Sequence, residues 1–488
     1  MNKDTFQKLV QGEYGRKIAY VDFSEVTPGN ILKIVQRGGS VLNWNREAIR
    51  YLHRYYKGDQ PVLYREKTIR DDINNPVVEN HAFEIVAFKN AQTYGEPVQC
   101  VSLKNDAKIN DGVDKLNDFQ TNANKRVVDI MCGEWTSCVG TGFKAVQRVK
   151  NAEVPYRLIA PSPMNTVIVY SSITFEPLLA MQQLKDENGE QYFQCFSEYR
   201  EYIVKNGKIT SDNIHAFGGI PIVEYPNNPD RISDIELVIT MLDAINEIQS
   251  NRVDGIAQFV QSWFKFKDCD VDEEVFAKMK MNGALVVKSV NGQGNADVDL
   301  LSQELNQEGT QVGKDDLWDS AQSILAIPNR ETQNSGGDTS GAVQLRAGHD
   351  LARQRANLKD PFVIASDKRL CQVALKIIHQ AKGEEVCPLT PLDYTIQIVH
   401  SPTDNLLVKS EALEILLRSG IHPLVAIKVT GLWGDSEKTY IQSKPYLDAL
   451  WKTVDQAIDA EISDRNLQSQ VVTAKKIMGD LQNGNTNT

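Results

Sequence analysis

Hydrophobic residues along this chain switch between two periods. Up to residue 142 they recur at three- and four-residue steps, the spacing of one helix face. Residues 30–36 carry Ile31, Ile34 and Val35 on one side, and Gly38-Gly39 is expected to stop that short helix. Residues 43–56 predict a second helix with Ile49, Leu52 and Tyr56 together. Residues 77–92 predict a third, with Val78, Ala82, Ile85, Val86 and the Lys89 stem on one side. Residues 115–142 predict a fourth, on the recurrence of Val127, Ile130, Met131 and Trp135.

From residue 143 the period shortens to two. Residues 143–149, 156–159, 166–170, 178–185, 192–197 and 201–204 are short alternating runs rich in β-formers. Asn188-Gly189 and Asn206-Gly207 separate the later ones, and both pairs are hairpin signals because Asn and Gly tolerate positive φ. The first half of the chain therefore predicts an α+β fold.

The helical period returns at residue 233. Val238, Met241, Leu242, Ile245, Ile248, Arg252, Ile256, Phe259 and Trp263 form one stripe broken by a single charge. A helix over 233–263 would be ~45 Å long. Residues 265–308 read as an insert, with a strand-like stretch at 284–290 and a turn at Asn291-Gly292-Gln293-Gly294. A shorter helix, 312–326, is expected to stop at Pro328, and residues 329–338 form a polar loop. Asp338 or Thr339 is placed to cap a long helix over 340–382, roughly 60 Å in reach. Pro361 removes one of its backbone bonds and is expected to kink it, and Gly383 is placed to end it. Residues 394–399 alternate as a strand. From residue 405 the pattern is helical again, with Leu406, Ala412, Leu413, Leu416 and Leu417 in one stripe closed by Gly420, then 423–430 and 446–462.

Composition and charge act mainly by exclusion. A length of 488 residues predicts about three domains. Apolar and charged fractions of 41% and 24% are those of an ordinary globular chain. No window approaches the ~20 apolar residues that cross a bilayer. The first ten residues lack a signal-peptide apolar segment, so cytoplasmic synthesis and no membrane role are expected. The seven cysteines are scattered without a Cys-x-x-Cys pair, which predicts free thiols and no zinc site. A net charge of −11 argues against a strong static grip on nucleic acid, which needs a basic patch. It permits a protein that surrounds DNA and lets it slide. Gly140-Thr141-Gly142-Phe143-Lys144 has the wrong spacing for a phosphate cradle. No metalloprotease or nucleophile-elbow motif occurs, and the seven histidines are isolated in sequence. Neither enzymatic activity nor a cofactor is expected. Asp315, Asp316 and Asp319 cluster on the 312–326 helix, as a solvated acidic face or an acidic lining.

Several segments, in order, resemble the portal proteins of tailed bacteriophages, in their siphophage-type branch. Tyr51-Leu52-His53-Arg54-Tyr55-Tyr56-Lys57-Gly58-Asp59-Gln60-Pro61 resembles that family's early helix ending in a Tyr-Tyr-x-Gly turn. Asn74-Asn75-Pro76-Val77-Val78-Glu79-Asn80-His81-Ala82 resembles its Asn-rich entry to the next helix. Thr93-Tyr94-Gly95-Glu96-Pro97-Val98 resembles the following Tyr-x-Gly-x-Pro, except that Gly95 comes directly after Tyr94. Phe217-Gly218-Gly219-Ile220-Pro221-Ile222-Val223-Glu224-Tyr225 is similar to the strand before the family's first stem helix. Asp243-Ala244-Ile245-Asn246 is similar to a stretch inside that helix, and Thr339-Ser340-Gly341-Ala342 to the start of the long helix. The resemblance covers about residues 43–400.

The resemblance implies a ring-forming portal fold with an α+β wing at 1–232, a stem helix at 233–264, a small α/β clip at 265–311 and a second stem helix at 312–328. A tunnel loop at 329–339, a long kinked helix with a returning wing strand at 340–402 and a helical crown at 403–488 complete it. It implies a ring, twelve-fold in the virion, at one capsid vertex, with the chain made in the host bacterial cytoplasm. Double-stranded DNA would pass without being read in sequence. Other expected partners are the terminase packaging motor, a head–tail adaptor, and the major capsid and scaffolding proteins. The tunnel loop would be Asn329, Arg330, Glu331, Thr332, Gln333, Asn334, Ser335, Gly336, Gly337 and Asp338. Lys314, Asp315, Asp316 and Asp319 would line the tunnel from the stem, with Lys314 as local counter-charge. Lys265, Lys267, Asp272, Glu273, Glu274 and Lys288 would dock partner proteins at the clip. Another structural ring of the head–tail connector is the alternative, and a nucleic-acid enzyme is disfavoured by the missing motifs.

Overall fold

The alternation of periods sets the order of the elements. In chain order they are β1 (Ala19–Val21), α1 (Ile31–Tyr56), α2 (His81–Tyr94), β2 (Gln99–Ser102), α3 (Ala107–Asn122) and α4 (Lys125–Val139). Then come β3 (Thr141–Arg148), β4 (Tyr156–Ile159), β5 (Thr166–Ser171), β6 (Pro177–Lys185), β7 (Gln191–Phe196), β8 (Arg200–Lys205), β9 (Lys208–Ile214) and β10 (Ile222–Pro226). The rest are α5 (Ile239–Val260), β11 (Trp263–Lys267), β12 (Asp297–Leu301), α6 (Gln307–Leu325), α7 (His349–Lys382), β13 (Tyr394–Gln397), α8 (Leu406–Arg418) and α9 (Pro423–Thr430). The computed structural model describes residues 14–67, 72–104, 106–150, 152–260, 263–267, 274, 297–301, 307–329, 348–400, 406–433, 436 and 439–446. Two compact units result, Met1–His400 and Ser401–Thr488.

Six strands form one sheet in the order β1-β5-β6-β7-β8-β9, antiparallel except for β1 beside β5. Asn206 and Gly207, at φ 50° and 72°, close the β8–β9 hairpin with Lys205 opposite Lys208, the two-residue turn that needs positive φ at both places. A three-stranded sheet, β10-β3-β4, packs beside it through Phe143, Ala145, Ile168, Ala180, Phe196 and Ile222. β13 pairs with β2, a strand not foreseen in the sequence, so residues far apart in the chain close one two-stranded sheet.

Four expectations change. Gly38-Gly39 does not stop the first helix, which runs unbroken from Ile31 to Tyr56. A Cβ at Gly38 would strike Met181 Sδ and come within 2.8 Å of Val169 Cγ2, and one at Gly39 would lie 3.4 Å from the Phe193 ring. The missing side chains let α1 lie close on the large sheet, and tertiary packing overrides their low helix propensity.

The helix expected over 115–142 is two helices, α3 and α4, broken where Asn124 turns to φ 62°. Its apolar stripe also faces the other way: Val127, Ile130 and Met131 are exposed, while Lys125, Val128, Asp129 and Cys132 are buried. The third expectation, a helix from residue 77, fails because residues 73–80 are non-helical and α2 starts at His81; Pro76 disfavours helical backbone at Asn75. The fourth concerns the 233–263 helix, which forms as Ile239–Val260, with Trp263 already in β11.

α7 continues through Pro361 and ends at Gly383, whose φ of 90° suits glycine. The expected cap at Asp338 or Thr339, the first residues of that helix, the 284–290 strand, the Asn291–Gly294 turn and nearly all of the 446–462 helix lie outside the described residues. In the second unit, Gly420 at φ 79° follows α8, and Lys409 Nζ donates to the Gly431 carbonyl at 3.3 Å. Among the described residues no helix is long and apolar enough to cross a membrane.

Candidate functional site

Helices α5 and α6 pack side by side, and their inner faces are apolar. Val238, Ile239, Leu242 and Ile245 meet Ala321, Leu325 and Ile327 in a cluster completed by α1 and α2. The apolar stripe foreseen on α5 is inward only in its first part, because Ile256 is exposed.

Further along the same four-residue row as Val238 and Leu242, α5 carries a polar ladder that escaped the sequence reading. Asn246, Ser250 and Asp254 stand four residues apart and are buried. Asn246 Oδ1 accepts from the Glu79 amide at 2.8 Å, Ser250 Oγ from the Val77 amide at 2.8 Å, and Asp254 Oδ1 from the Asn75 amide at 2.7 Å. Four residues of helix rise ~6 Å and two residues of extended chain span ~6.6 Å, so the two repeats match. Each acceptor takes one alternate amide of a segment that pairs with no strand among the described residues, which answers where those partly buried N–H groups go.

Asp254 also pairs with Arg65 and Lys67. Burial works against its charge, but the donors Lys67, Asn75 and Arg65 prevail and hold the carboxyl below its usual range. The available signal was the four-residue spacing of polar groups that continues the row of Val238 and Leu242.

α6 turns the other sign of face outward. Asp315, Asp316 and Asp319 are exposed. Asp315 accepts from Gln311 at 2.6 Å, and Asp319 accepts from Asn329 at 3.1 Å, which brings the first residue of the expected tunnel loop onto this ridge. Lys314 points elsewhere: its Nζ lies 3.0 Å from Glu79 Oε1. It ties α6 to the entry of α2, alongside His81 stacked on Trp318 at 3.9 Å, and leaves the aspartates as a face of one sign. Arg330, Glu331, Thr332, Gln333, Asn334, Ser335, Gly336, Gly337 and Asp338 lie outside the described residues, as do Asp272, Glu273 and Lys288. Lys265 and Lys267 sit in β11 opposite Asp299 and Asp297 of β12, and Glu274 is exposed.

The densest electrostatics lie inside the first unit. Lys144 of β3 and Lys125 of α4 are each within ion-pair reach of Asp129 and of Asp367 on α7; Lys125 Nζ is 2.6 Å from Asp129 and 3.1 Å from Asp367. Tyr225 OH donates to Asp367. Burial disfavours charge on both lysines and on Asp367, yet the paired carboxylates outweigh it and raise both lysines, and the two ammonium groups hold Asp367 well below the carboxylate range. Lys144 is thus a structural ion, not a phosphate ligand.

The first unit thus holds a buried ion square between α4, β3 and α7, a polar ladder on α5 and an acidic outer ridge on α6. The family model described as "Phage portal protein, SPP1 Gp6-like" matches residues 43–399. That is well over half of the chain, so the protein belongs to the phage portal proteins, in their SPP1 Gp6-like family. The portal protein of Bacillus phage SPP1 is 26% identical over 170 residues, covering 33% of this chain and 31% of that one. The match thus spans about a third of that relative's length. A solved chain from the neck of an empty GTA particle, computed with C6 symmetry, is 12% identical with a TM-score of 0.43, over 72% of this chain and 90% of that chain. A chain from the virion of a native gene transfer agent particle is 12% identical with a TM-score of 0.42, over 79% and 94%.

Proposed function

We propose that this chain is the non-enzymatic subunit of a ring, a dodecamer in the virion, at one capsid vertex. Double-stranded DNA enters and leaves through its channel. The terminase packaging motor docks on it before filling and a head–tail adaptor afterwards, while capsid and scaffolding proteins hold its rim. Family membership over residues 43–399 carries this reading.

The chemistry of α6 supports it. DNA presents dense phosphate charge, and a basic wall would bind it. The ridge of Asp315, Asp316 and Asp319 would repel the backbone and let it move, and the loop beginning at Asn329 would contact it without reading bases. Mixed charge at the clip, with Lys265 and Lys267 paired in register with Asp299 and Asp297, suits docking of protein rings more than DNA.

Electron microscopy of the purified full-length chain, with particle mass measured in parallel, tests the proposal. Rings of about a dozen subunits around a hole wide enough for a duplex are expected. A closed oligomer without a channel would overturn it.

A further inference from the structure

His400 is the last residue of the first unit, and it ties three segments of that unit together. Its Nδ1 lies 2.8 Å from the Gln92 carbonyl near the end of α2. Its Nε2 lies 2.7 Å from Asp360 Oδ2 on α7. The ring itself belongs to the chain leaving β13, which ends at Gln397. Asp360 directly precedes Pro361, where α7 lacks a backbone donor, so the helix is short of one backbone bond at this level. Both side chains are mostly enclosed, with 14% of His400 and 16% of Asp360 exposed.

The two contacts fix a proton count. A backbone carbonyl can only accept a hydrogen bond, and so can an ionised carboxylate. A neutral imidazole has one N–H, which serves one of them and sets a lone pair against the other oxygen. Both contacts stand together when the ring is an imidazolium with two donors. Asp360 depends on that ring in turn, because its Oδ1 is buried with no partner among the described residues.

The surroundings agree with this count. Burial works against charge on the ring, but the hydrogen bond and charge of Asp360 and the bond from the Gln92 carbonyl outweigh it. They also outweigh Arg353 of α7, and the ring is held above its usual value. α2 faces the ring with the Gln92 carbonyl, while its Lys89, one turn earlier, donates to the Leu325 carbonyl. β13, Tyr394–Gln397, carries no charged residue.

We propose that His400 is a pH-operated latch on the exit of the first unit: protonated it bridges α2 and α7, and neutral it keeps Asp360 and releases the Gln92 carbonyl. The N–H stays with the carboxylate because a hydrogen bond to an ionised acceptor is the stronger one. A histidine raised above its unfolded value contributes stability that is complete below about pH 6.5 and is lost as pH rises through the folded value. Low pH therefore closes the latch and high pH opens it, whether or not the chain is in a ring.

The test is hydrogen exchange of the full-length chain from about pH 6 to about pH 9, corrected for the intrinsic chemical rate. Exchange at residues 90–95 and 394–400 is read relative to the β5–β8 core, so that a change in global stability cancels. In the wild type, protection of those two segments should fall by about tenfold as pH rises, the equivalent of one charge-assisted hydrogen bond. His400→Gln cannot titrate, and in Asp360→Asn the amide can donate to a neutral ring. Both variants should show ratios independent of pH. Wild-type ratios that do not move with pH, or a pH dependence that survives in either variant, overturn the latch.

Discussion

Asp129 and Asp367 are buried between Lys125 and Lys144, each carboxylate facing both ammonium groups. Asp315, Asp316 and Asp319 stand exposed on one helix, and the nearby Lys314 is turned away to Glu79. The first set joins α4, β3 and α7 and has no surface to offer a partner. The second makes only exposed hydrogen bonds, from Gln311 to Asp315 and from Asn329 to Asp319, and presents one sign of charge outward. An aspartate that specifies packing and one available for function are thus told apart by burial and by what sits opposite, not by residue type.

The sharpest way to break this comparison is to remove one corner of the square. Lys144→Met leaves two buried carboxylates facing one ammonium group, and the loss of stability should be about 3–5 kcal/mol. Urea unfolding of the isolated chain measures it. A loss below about 1 kcal/mol would mean that water reaches the square and that the contrast with α6 is false.

Asp243 on α5 is an intermediate case: mostly enclosed, but with no cation paired to it among the described residues. Burial raises its carboxyl to about 6, against a lowering hydrogen bond from Tyr55 OH at 2.8 Å. A carboxyl whose folded value lies above its unfolded one contributes stability that is complete below about pH 4 and is lost as pH rises through about 6. Asp243→Asn keeps the acceptor for Tyr55 and removes the titration. It should stabilise the fold by about 2–3 kcal/mol at pH 8 relative to its effect at pH 4. Thermal midpoints of both proteins across that range test it, and a pH-independent difference between them would refute it.

How much of this was legible in the sequence depends on which interaction decides each feature. The strands β3 to β8 and β13 were legible because alternation is local, and the Asn206-Gly207 turn because its backbone demands are local too, whereas the short β1 and β2 and the largely exposed β9 were not foreseen. The family resemblance rested on short motifs in order, and the SPP1 Gp6-like match runs over nearly the same span, 43–399. Gly38 misled because its partner, Met181, is distant in sequence and lies on another element. The α4 stripe misled because an apolar face was assumed to be a buried face, whereas Lys125 and Asp129 are buried by partners on β3 and α7. The ladder on α5 went unseen because polar residues at four-residue spacing look like a solvated face until the segment at 75–79 is laid on them. Of the acidic ridge, exposure was open in the sequence, and the turning away of Lys314 was not.

The middle rung of the ladder gives a smaller effect than the square, since at Ser250 a neutral hydrogen bond replaces an ion pair. Ser250→Ala leaves the Val77 amide without its acceptor, at a cost of about 1–2 kcal/mol. The change should be local, so hydrogen exchange at residues 75–79 should accelerate while that of the β5–β8 core stays at its wild-type rate. Uniform acceleration over the whole unit would show that the segment is not separately anchored.

The smallest effect on stability should come from the ridge itself, and there the two sets of aspartates separate most clearly. Neutralising Asp315, Asp316 and Asp319 together by Asp→Asn touches exposed groups and should shift stability by no more than ~0.5 kcal/mol. The same three changes to lysine should leave folding similarly intact, yet they would convert a repelling wall into one that neutralises phosphates. Binding of linear duplex to the assembled ring should then rise and become salt-dependent, because each contact releases counterions. DNA packaging should fall for the lysine protein and hold near wild type for the asparagine protein, since loss of repulsion costs less than gain of attraction. Duplex binding and packaging unchanged in the lysine protein would place the ridge away from the DNA path and leave these aspartates as ordinary solvated charge.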